Sequence, residues 1–468
     1  MKIIFLAIIA ALVIFSFTLS KRIKSGKDFL IPNGGLPFIV VAFTMAATQF
    51  GSSMLIGGVQ QAHQQAVGQG FYPAIYTLLA ASASCFINIF VSPRYRKFGE
   101  SVTPPDFIEH RYGKSKFMRT YHATAYICSI TCVLVSQFIG FASMGAAAGF
   151  SYNFSLILCA AVVCLLALGS GLLGVALTDM IQFAAIVLLL AVSSIFSLQK
   201  LDSIGVSFAQ VAGEAFFPAE SLKGKFIYTL WPMLIGNLFS YEYFMRFMSC
   251  RGEKEAKKAS AAAGVMLLIV AIPVALLGAV ANYCYQGADS VSVFGLIISN
   301  DMPKWFGFLL IATVLMAVLT SADSMLTSIS GMVSRDIYGG LLNADKDYSE
   351  LKHSKLIAKI TIVVVAVTAM VLALFFKQIL KISFFFSPLT SGTMFAPMIL
   401  GLFWKKANRK GAIAAIICAS ISGILHSVGV ITLLDRVAGP ALIGSVVLIT
   451  VSLLTQDTAR KGVNSGEL

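Results

Sequence analysis

Met45-Ala46-Ala47-Thr48-Gln49-Phe50-Gly51-Ser52-Ser53-Met54 lies in the middle of an uncharged run, residues 36–62. A run of that length reads as a helix across a bilayer, whose ~30 Å hydrocarbon core takes roughly 20 helical residues. Its centre nevertheless carries Gly51, Ser52 and Ser53. A helix loosened there leaves backbone carbonyls that must find a partner inside the membrane. The same conflict returns at Trp231-Pro232-Met233-Leu234-Ile235-Gly236-Asn237. Glycine is frequent in ordinary membrane helices, so either break alone decides nothing. Interrupted helices in matching positions of two halves point to a binding site near the midplane.

The rest of the chain is built for lipid. Of its 468 residues, 57% are hydrophobic and only 12% charged, where soluble domains average about a quarter charged. Residues 3–20, 68–93 and 120–150 are further runs without Lys, Arg, Asp or Glu. The net charge of +14 sits in short loops between such runs, which is how topology signals are placed, and no basic face for nucleic acid is expected. Most of the eight cysteines lie inside apolar runs and read as small core residues, neither a disulfide set nor a metal site. Residues 3–20 have a single basic residue before them and a basic cluster after, the reverse of a secretory signal, so they are expected to be retained.

Thirteen spans are expected, at 3–20, 36–62, 68–93, 120–147, 154–177, 178–198, 226–249, 260–285, 305–333, 356–376, 378–404, 411–432 and 438–456. Alternate loops differ more than threefold in Lys and Arg, and the richer set is expected to be cytoplasmic. That puts the N-terminus outside and the C-terminus inside. The breaks at Gly51 and Gly236 each fall in the first helix of a five-helix block, 36–198 and 226–404. An odd number of helices inserts the second block upside down, as in an inverted repeat. Three parts are expected: 1–35, a first helix and loop; 36–404, a ten-helix core; 405–468, two helices and a tail. No Walker-type phosphate loop and no nucleophile–base set occurs, so neither ATP-driven pumping nor an enzyme is expected.

Polar residues inside the apolar runs are expensive and mark function. Asp179 opens the expected sixth span. Glu242 and Arg246 stand at i and i+4, spaced to pair with each other. The ninth span reads Ala317-Val318-Leu319-Thr320-Ser321-Ala322-Asp323-Ser324-Met325-Leu326, then Thr327, Ser328 and Ser330. Singly, each hydroxyl is an ordinary packing residue of membrane helices. Together with an embedded carboxylate they suit a small hard cation such as sodium. The polar run Gln60, Gln61, His63, Gln64, Gln65, Gln69 is expected as a solvated loop.

Several short strings, in order, are similar to the sodium:solute symporter family: Lys27-Asp28-Phe29-Leu30; Ala47-Thr48 with Gly57; Thr103-Pro104-Pro105-Asp106-Phe107-Ile108 with Arg111-Tyr112-Gly113; Thr178-Asp179 with Gln182; Arg246 with Lys254-Glu255-Ala256-Lys257-Lys258; Ala317 with Thr320-Ser321 and Ser324; Ala396-Pro397 with Leu402-Phe403-Trp404-Lys405. The resemblance, over about residues 20–425, implies an all-α membrane protein of leucine-transporter type and sodium-coupled symport of a small organic solute by alternating access. It implies co-transported sodium held by the carbonyls of Ala47, Phe50 and Ala317 and the hydroxyls of Thr320 and Ser321. Some relatives hold a second sodium at positions matching Asp179, Asp323 and Ser324. The acid at 323 departs from that pattern, and it either strengthens a cation site or titrates a proton. Solute contacts are implied at Ser53, Met54, Tyr72, Pro73, Gly236 and Asn237. Ser, Met and Pro there favour a small carboxylate, amino acid, betaine or vitamin-like solute over a sugar. A proton-coupled or facilitative carrier of the same fold and a non-transporting membrane sensor remain the alternatives.

Overall fold

In the computed structural model, residues 35–67, 73–98, 103–169, 172–216, 227–342, 351 and 353–456 are described, with four isolated positions before residue 15. The expected first span, 3–20, and Tyr72 lie outside the described residues. The described chain is helical, in the order α1 Phe38–Gln49, α2 Ile56–His63, α3 Pro73–Arg96, α4 Pro104–Tyr112, α5 Lys116–Ala147, α6 Tyr152–Gly169, α7 Leu172–Ser203, α8 Phe208–Phe216, α9 Ile227–Gly236, α10 Tyr241–Ser249, α11 Glu253–Cys284, α12 Val293–Asp301, α13 Lys304–Gly331, α14 Ser354–Phe375, α15 Ile379–Phe403, α16 Arg409–Ser427 and α17 Ala438–Leu454. Eight helices are long and apolar enough to cross a bilayer. Two of the expected spans, 36–62 and 226–249, are instead each split into two half-helices, α1/α2 and α9/α10. All eight cysteines are free.

Two groups of helices share the molecule. The half-helices pack on α3 and α11, while α5, α6, α13 and α14 pack among themselves, and α7 touches both groups. We call the first the bundle and the second the frame. Small residues set the closest bundle contact, between α3 and α11. The Ser82 hydroxyl donates to the Gly264 carbonyl at 2.8 Å, and Gly264 leaves room for the Phe86 ring. Such small-residue seams are how helices associate where lipid removes the hydrophobic drive between them. On the frame, α14 turns Leu356, Val364 and Phe375 outward, each more than half exposed, as a face toward hydrocarbon requires.

Three expectations are corrected. Helix α7 begins at Leu172, so Asp179 lies two turns inside it rather than at its start; two apolar runs meet there with no charge between them. Helix α13 does not end near 333 but continues as a π-helix over Met332–Leu342. Arg335 and Asp336 suggested a loop, yet Arg335 pairs with Asp106 at 2.9 Å and Asp336 with Arg119 at 2.9 Å. Arg119 also reaches Asp106 and Glu109, at 3.0 and 2.6 Å, so these charges fasten α4 to α5 and α13. The polar run from Gln60 is not a solvated loop at its start. Gln60 and His63 are buried in α2, where Gln60 donates to the Lys377 carbonyl at 3.1 Å and His63 meets Ser290 at 2.9 Å. Finally, α15 is a chain of short α and π turns around Pro388, Gly392 and Pro397.

Candidate ion and solute site

Helix α1 stops because Phe50 leaves helical geometry, with φ −86° and ψ 57°. A helix end strands its last carbonyls. The Phe50 N–H still takes the Ala46 carbonyl at 2.9 Å, but among the described residues no N–H or hydroxyl donates to the carbonyls of Ala47 or Phe50. Helix α13 lies against both α1 and α7. The Phe50 ring meets Phe183 of α7 edge-on, centroids 6.0 Å apart. The neighbouring Gln182 accepts the Thr320 hydroxyl at 2.6 Å. Helix α7 thus holds the end of α1 and the hydroxyl turn of α13 on one spacer. A hydroxyl has one proton and two lone pairs. The Thr320 hydroxyl also lies 3.2 and 3.3 Å from the Met316 and Ala317 carbonyls, with Gln182 its shortest acceptor, and donating that proton leaves the oxygen's lone pairs for a cation. Thr320 and Ser321 are both buried. Neutral carbonyl and hydroxyl oxygens of this kind match a small hard cation.

The carboxylate positions have other partners. Asp179 is buried and accepts the Thr44 hydroxyl at 2.6 Å, with Nη2 of Arg246 3.9 Å away. Arg246 Nε reaches the Thr44 hydroxyl oxygen at 3.2 Å. The expected Glu242–Arg246 pair is therefore redirected. Arg246 Nη1 bonds the backbone carbonyl of Glu242 at 3.0 Å, and the guanidinium crosses to Asp179, where an acid on a facing helix offers the better charge. Asp323 lies buried in α13 with the Thr327 hydroxyl 3.4 Å from Oδ1. Ser324 Oγ is buried without a hydrogen-bond partner among the described residues.

The two breaks meet. Gln49 Nε2 donates to Asn237 Oδ1 at 3.1 Å, so the last residue of α1 touches the first residue past α9. Around them lies a cavity of about 120 Å³ lined from α1, α5, α9, α10, α13 and α15. It is small beside the roughly 300–1,000 Å³ of pockets for drug-sized ligands. Ser53, Gly236 and Asn237 line it, as expected. Met54 does not; it is fully buried in the apolar core. Pro73 begins α3, and its side chain lies outside the described residues. Sequence reasoning missed Gln137 and Tyr126 of α5 and the hydroxyls Ser387, Thr390 and Ser391 of α15. The run Ser387-Pro388-Leu389-Thr390-Ser391-Gly392 carried the same signal as the first two breaks, polar and helix-loosening residues in an apolar span. Nothing local marked Gln137.

The sequence pattern of the Sodium:solute symporter family matches residues 29–419. The chain is 25% identical over 481 aligned positions to the osmoregulated proline transporter OpuE of Bacillus subtilis, covering 96% of this chain and 94% of that one. It is 26% identical to the high-affinity proline transporter PutP of the same organism, covering 86% and 87%. The fold is that of a Na+-coupled sialic acid symporter solved in a substrate-bound outward-open state, with TM-score 0.79, 18% identity and 97% of both chains covered. A nucleobase-cation-symport-1 family transporter shares it more distantly, at TM-score 0.55 and 12% identity over 88% of this chain and 91% of that one. With the family pattern spanning most of the chain and the fold shared end to end, this protein belongs to the sodium:solute symporter family, membrane transporters in which sodium is co-transported with the solute.

Proposed function

We propose that the protein is a sodium-coupled symporter of a small amino-acid-like solute, working by alternating access. The observation that carries this is the end of α1. Its unpartnered Ala47 and Phe50 carbonyls share one spacer helix with the Thr320 hydroxyl. Sodium held by Ala47, Phe50, Ala317, Thr320 and Ser321 bridges bundle and frame, and so favours the arrangement in which those two groups are closest. Coupling follows because an ion shifts an equilibrium only by its differential affinity for the two states. Proline as the solute of similar transporters and the small volume of the cavity support an amino acid or betaine over a sugar. Asp179, Asp323 and Ser324 form a second polar zone for a cation or proton. In this reading the chain crosses the membrane thirteen times, N-terminus outside, and the core is an inverted repeat of five and five helices.

Uptake into proteoliposomes, with a sodium gradient and a proton gradient imposed separately, tests this. The Thr320→Ala/Ser321→Ala variant should need ~10- to 100-fold more sodium for half-maximal uptake, the scale of a lost hydrogen-bonding partner to a charged group. Uptake that ignores sodium and follows the proton gradient sinks the reading.

A further inference from the structure

Among the described residues, the lining of the solute cavity contains one carboxylate, Glu242, and no Lys, Arg or His. Glu242 stands in the first turn of α10, two residues past the N-cap Ser240 and directly after the second break. It is buried. A buried carboxylate is costly unless a cation or several donors compensate it. The base one turn along, Arg246, shares its charge between two acids: its Nη1 bonds the Glu242 backbone carbonyl, its Nε the Thr44 hydroxyl, and its Nη2 lies 3.9 Å from Asp179, while among the described residues no hydrogen bond joins the guanidinium to the Glu242 carboxylate. Among the described residues the carboxylate's one hydrogen-bond donor is its own N–H. The walls opposite are neutral: Tyr126 from α5, Met325 from α13, Ser387 and Thr390 from α15. A solute in this cavity therefore meets one acidic side chain and, among the described lining residues, no basic one. Charges interact strongly where water is largely excluded.

We infer that Glu242 selects solutes by a cationic nitrogen, primary, secondary or quaternary, placed against its carboxylate, while the rest of the solute faces the hydroxyl and amide groups of Ser53, Gln137 and Asn237. This rests on the symport reading above and narrows its solute to ammonium-bearing molecules. The other role open to Glu242, favouring the N-terminus of α10 through the helix dipole, makes no distinction between solutes, so the two can be told apart.

The experiment compares binding to the purified full-length protein, by calorimetry, of L-proline, of tetrahydro-2-furoate (the same ring with an ether oxygen in place of the ring nitrogen) and of glycine betaine, in sodium and in potassium chloride. Wild type should prefer L-proline or betaine over tetrahydro-2-furoate by on the order of 30-fold or more, the scale of a buried charge pair. In Glu242→Gln that ratio should collapse toward unity. In Glu242→Asp it should partly return. Sodium should raise the thermal stability of Glu242→Gln as much as that of wild type, which certifies the fold. An unchanged ratio in Glu242→Gln, equal weakening of all probes, or a wild type that binds neither ammonium probe overturns the assignment. Affinities for L-proline and betaine as high in potassium as in sodium, with the discrimination intact, leave Glu242 standing and refute sodium coupling instead.

Discussion

The break after Gln49 is pinned to the frame, whereas the break after Gly236 is pinned mainly within the bundle, with one bond from the frame, the Tyr126 hydroxyl of α5 donating to the Phe239 carbonyl at 3.0 Å. At the first, the Ser52 N–H donates to Gln137 Oε1 at 3.0 Å and its hydroxyl to the Ser136 carbonyl at 2.7 Å, both on α5. At the second, Asn237 Nδ2 donates to Ser84 at 3.1 Å and the Asn237 carbonyl accepts from Asn88 at 3.1 Å, both on α3. Movement of the bundle against the frame has to remake the first set and the Tyr126 bond, and carries the Asn237 contacts along. The chemistry divides in the same way. The first break offers neutral carbonyls next to a hydroxyl helix, suited to an ion bound and released at the moving seam. The second carries fixed charges, Glu242 and Arg246, one turn apart on α10. Two breaks of similar sequence thus need not be functionally equivalent: one is a seam and the other a platform.

The platform depends on Arg246. Its guanidinium is the basic group beside Asp179, and it reaches α1 through Thr44. Breaking a buried ion pair from one side leaves an uncompensated charge and costs about 3–5 kcal/mol, while replacing both partners by apolar or neutral groups is often tolerated. Arg246→Ala should therefore show the largest stability loss of any variant named here, read as a fall in unfolding temperature in detergent. Asp179→Asn/Arg246→Met should recover most of it. If Arg246→Ala costs less than about 1 kcal/mol, the charge on the second half-helix is not what holds the platform.

How much of this was legible in the sequence follows from distance along the chain. The breaks could be read because Gly51, Pro232 and Gly236 act on their own helices. The hydroxyl turn of α13 could be read because period 3.6 gathers Thr320 and Ser324 locally. The fasteners could not: Ser52 and Gln137 are 85 residues apart, and Gln49 and Asn237 are 188 apart. A lone Gln in an apolar run has no signal of its own. The partner of Arg246 was misread for the same reason. The i, i+4 rule sees one helix, and the acid that takes the guanidinium stands on another.

Steric variants sharpen the contrast between seam and platform. A Cβ at Gly140 would lie 2.4 Å from the Ser52 Cβ, an atom fixed to backbone. A Cβ at Gly236 would lie 2.6 Å from Ser391 Oγ, which can rotate away. Overpacking of the first kind costs about 1–3 kcal/mol. Gly140→Ala should thus slow transport markedly by pushing the break off α5. Gly236→Ala should do less, and Ser391→Ala should rescue it because the obstructing oxygen is gone. Equal damage from both glycines, measured as initial uptake rates at matched protein incorporation, would put the two breaks on the same footing.

The smallest expected effect concerns the bond that joins the breaks. Gln49 and Asn237 exchange a neutral amide hydrogen bond at 3.1 Å, and a bond of that kind is worth about 1 kcal/mol net. The Asn237 side chain has two further partners, Ser84 of α3 and Met233 of α9, so Asn237→Ala removes more than this one contact, and only a double-mutant cycle isolates it. The cycle over Gln49→Ala and Asn237→Ala should return a coupling of about 1 kcal/mol in solute binding. The bond crosses no boundary between bundle and frame, since α1 and the residue following α9 both belong to the bundle. It should therefore couple equally in the presence and absence of sodium. A coupling that appears only with sodium would mean that the ion draws the end of α1 toward the second break, and the platform would then be part of the seam.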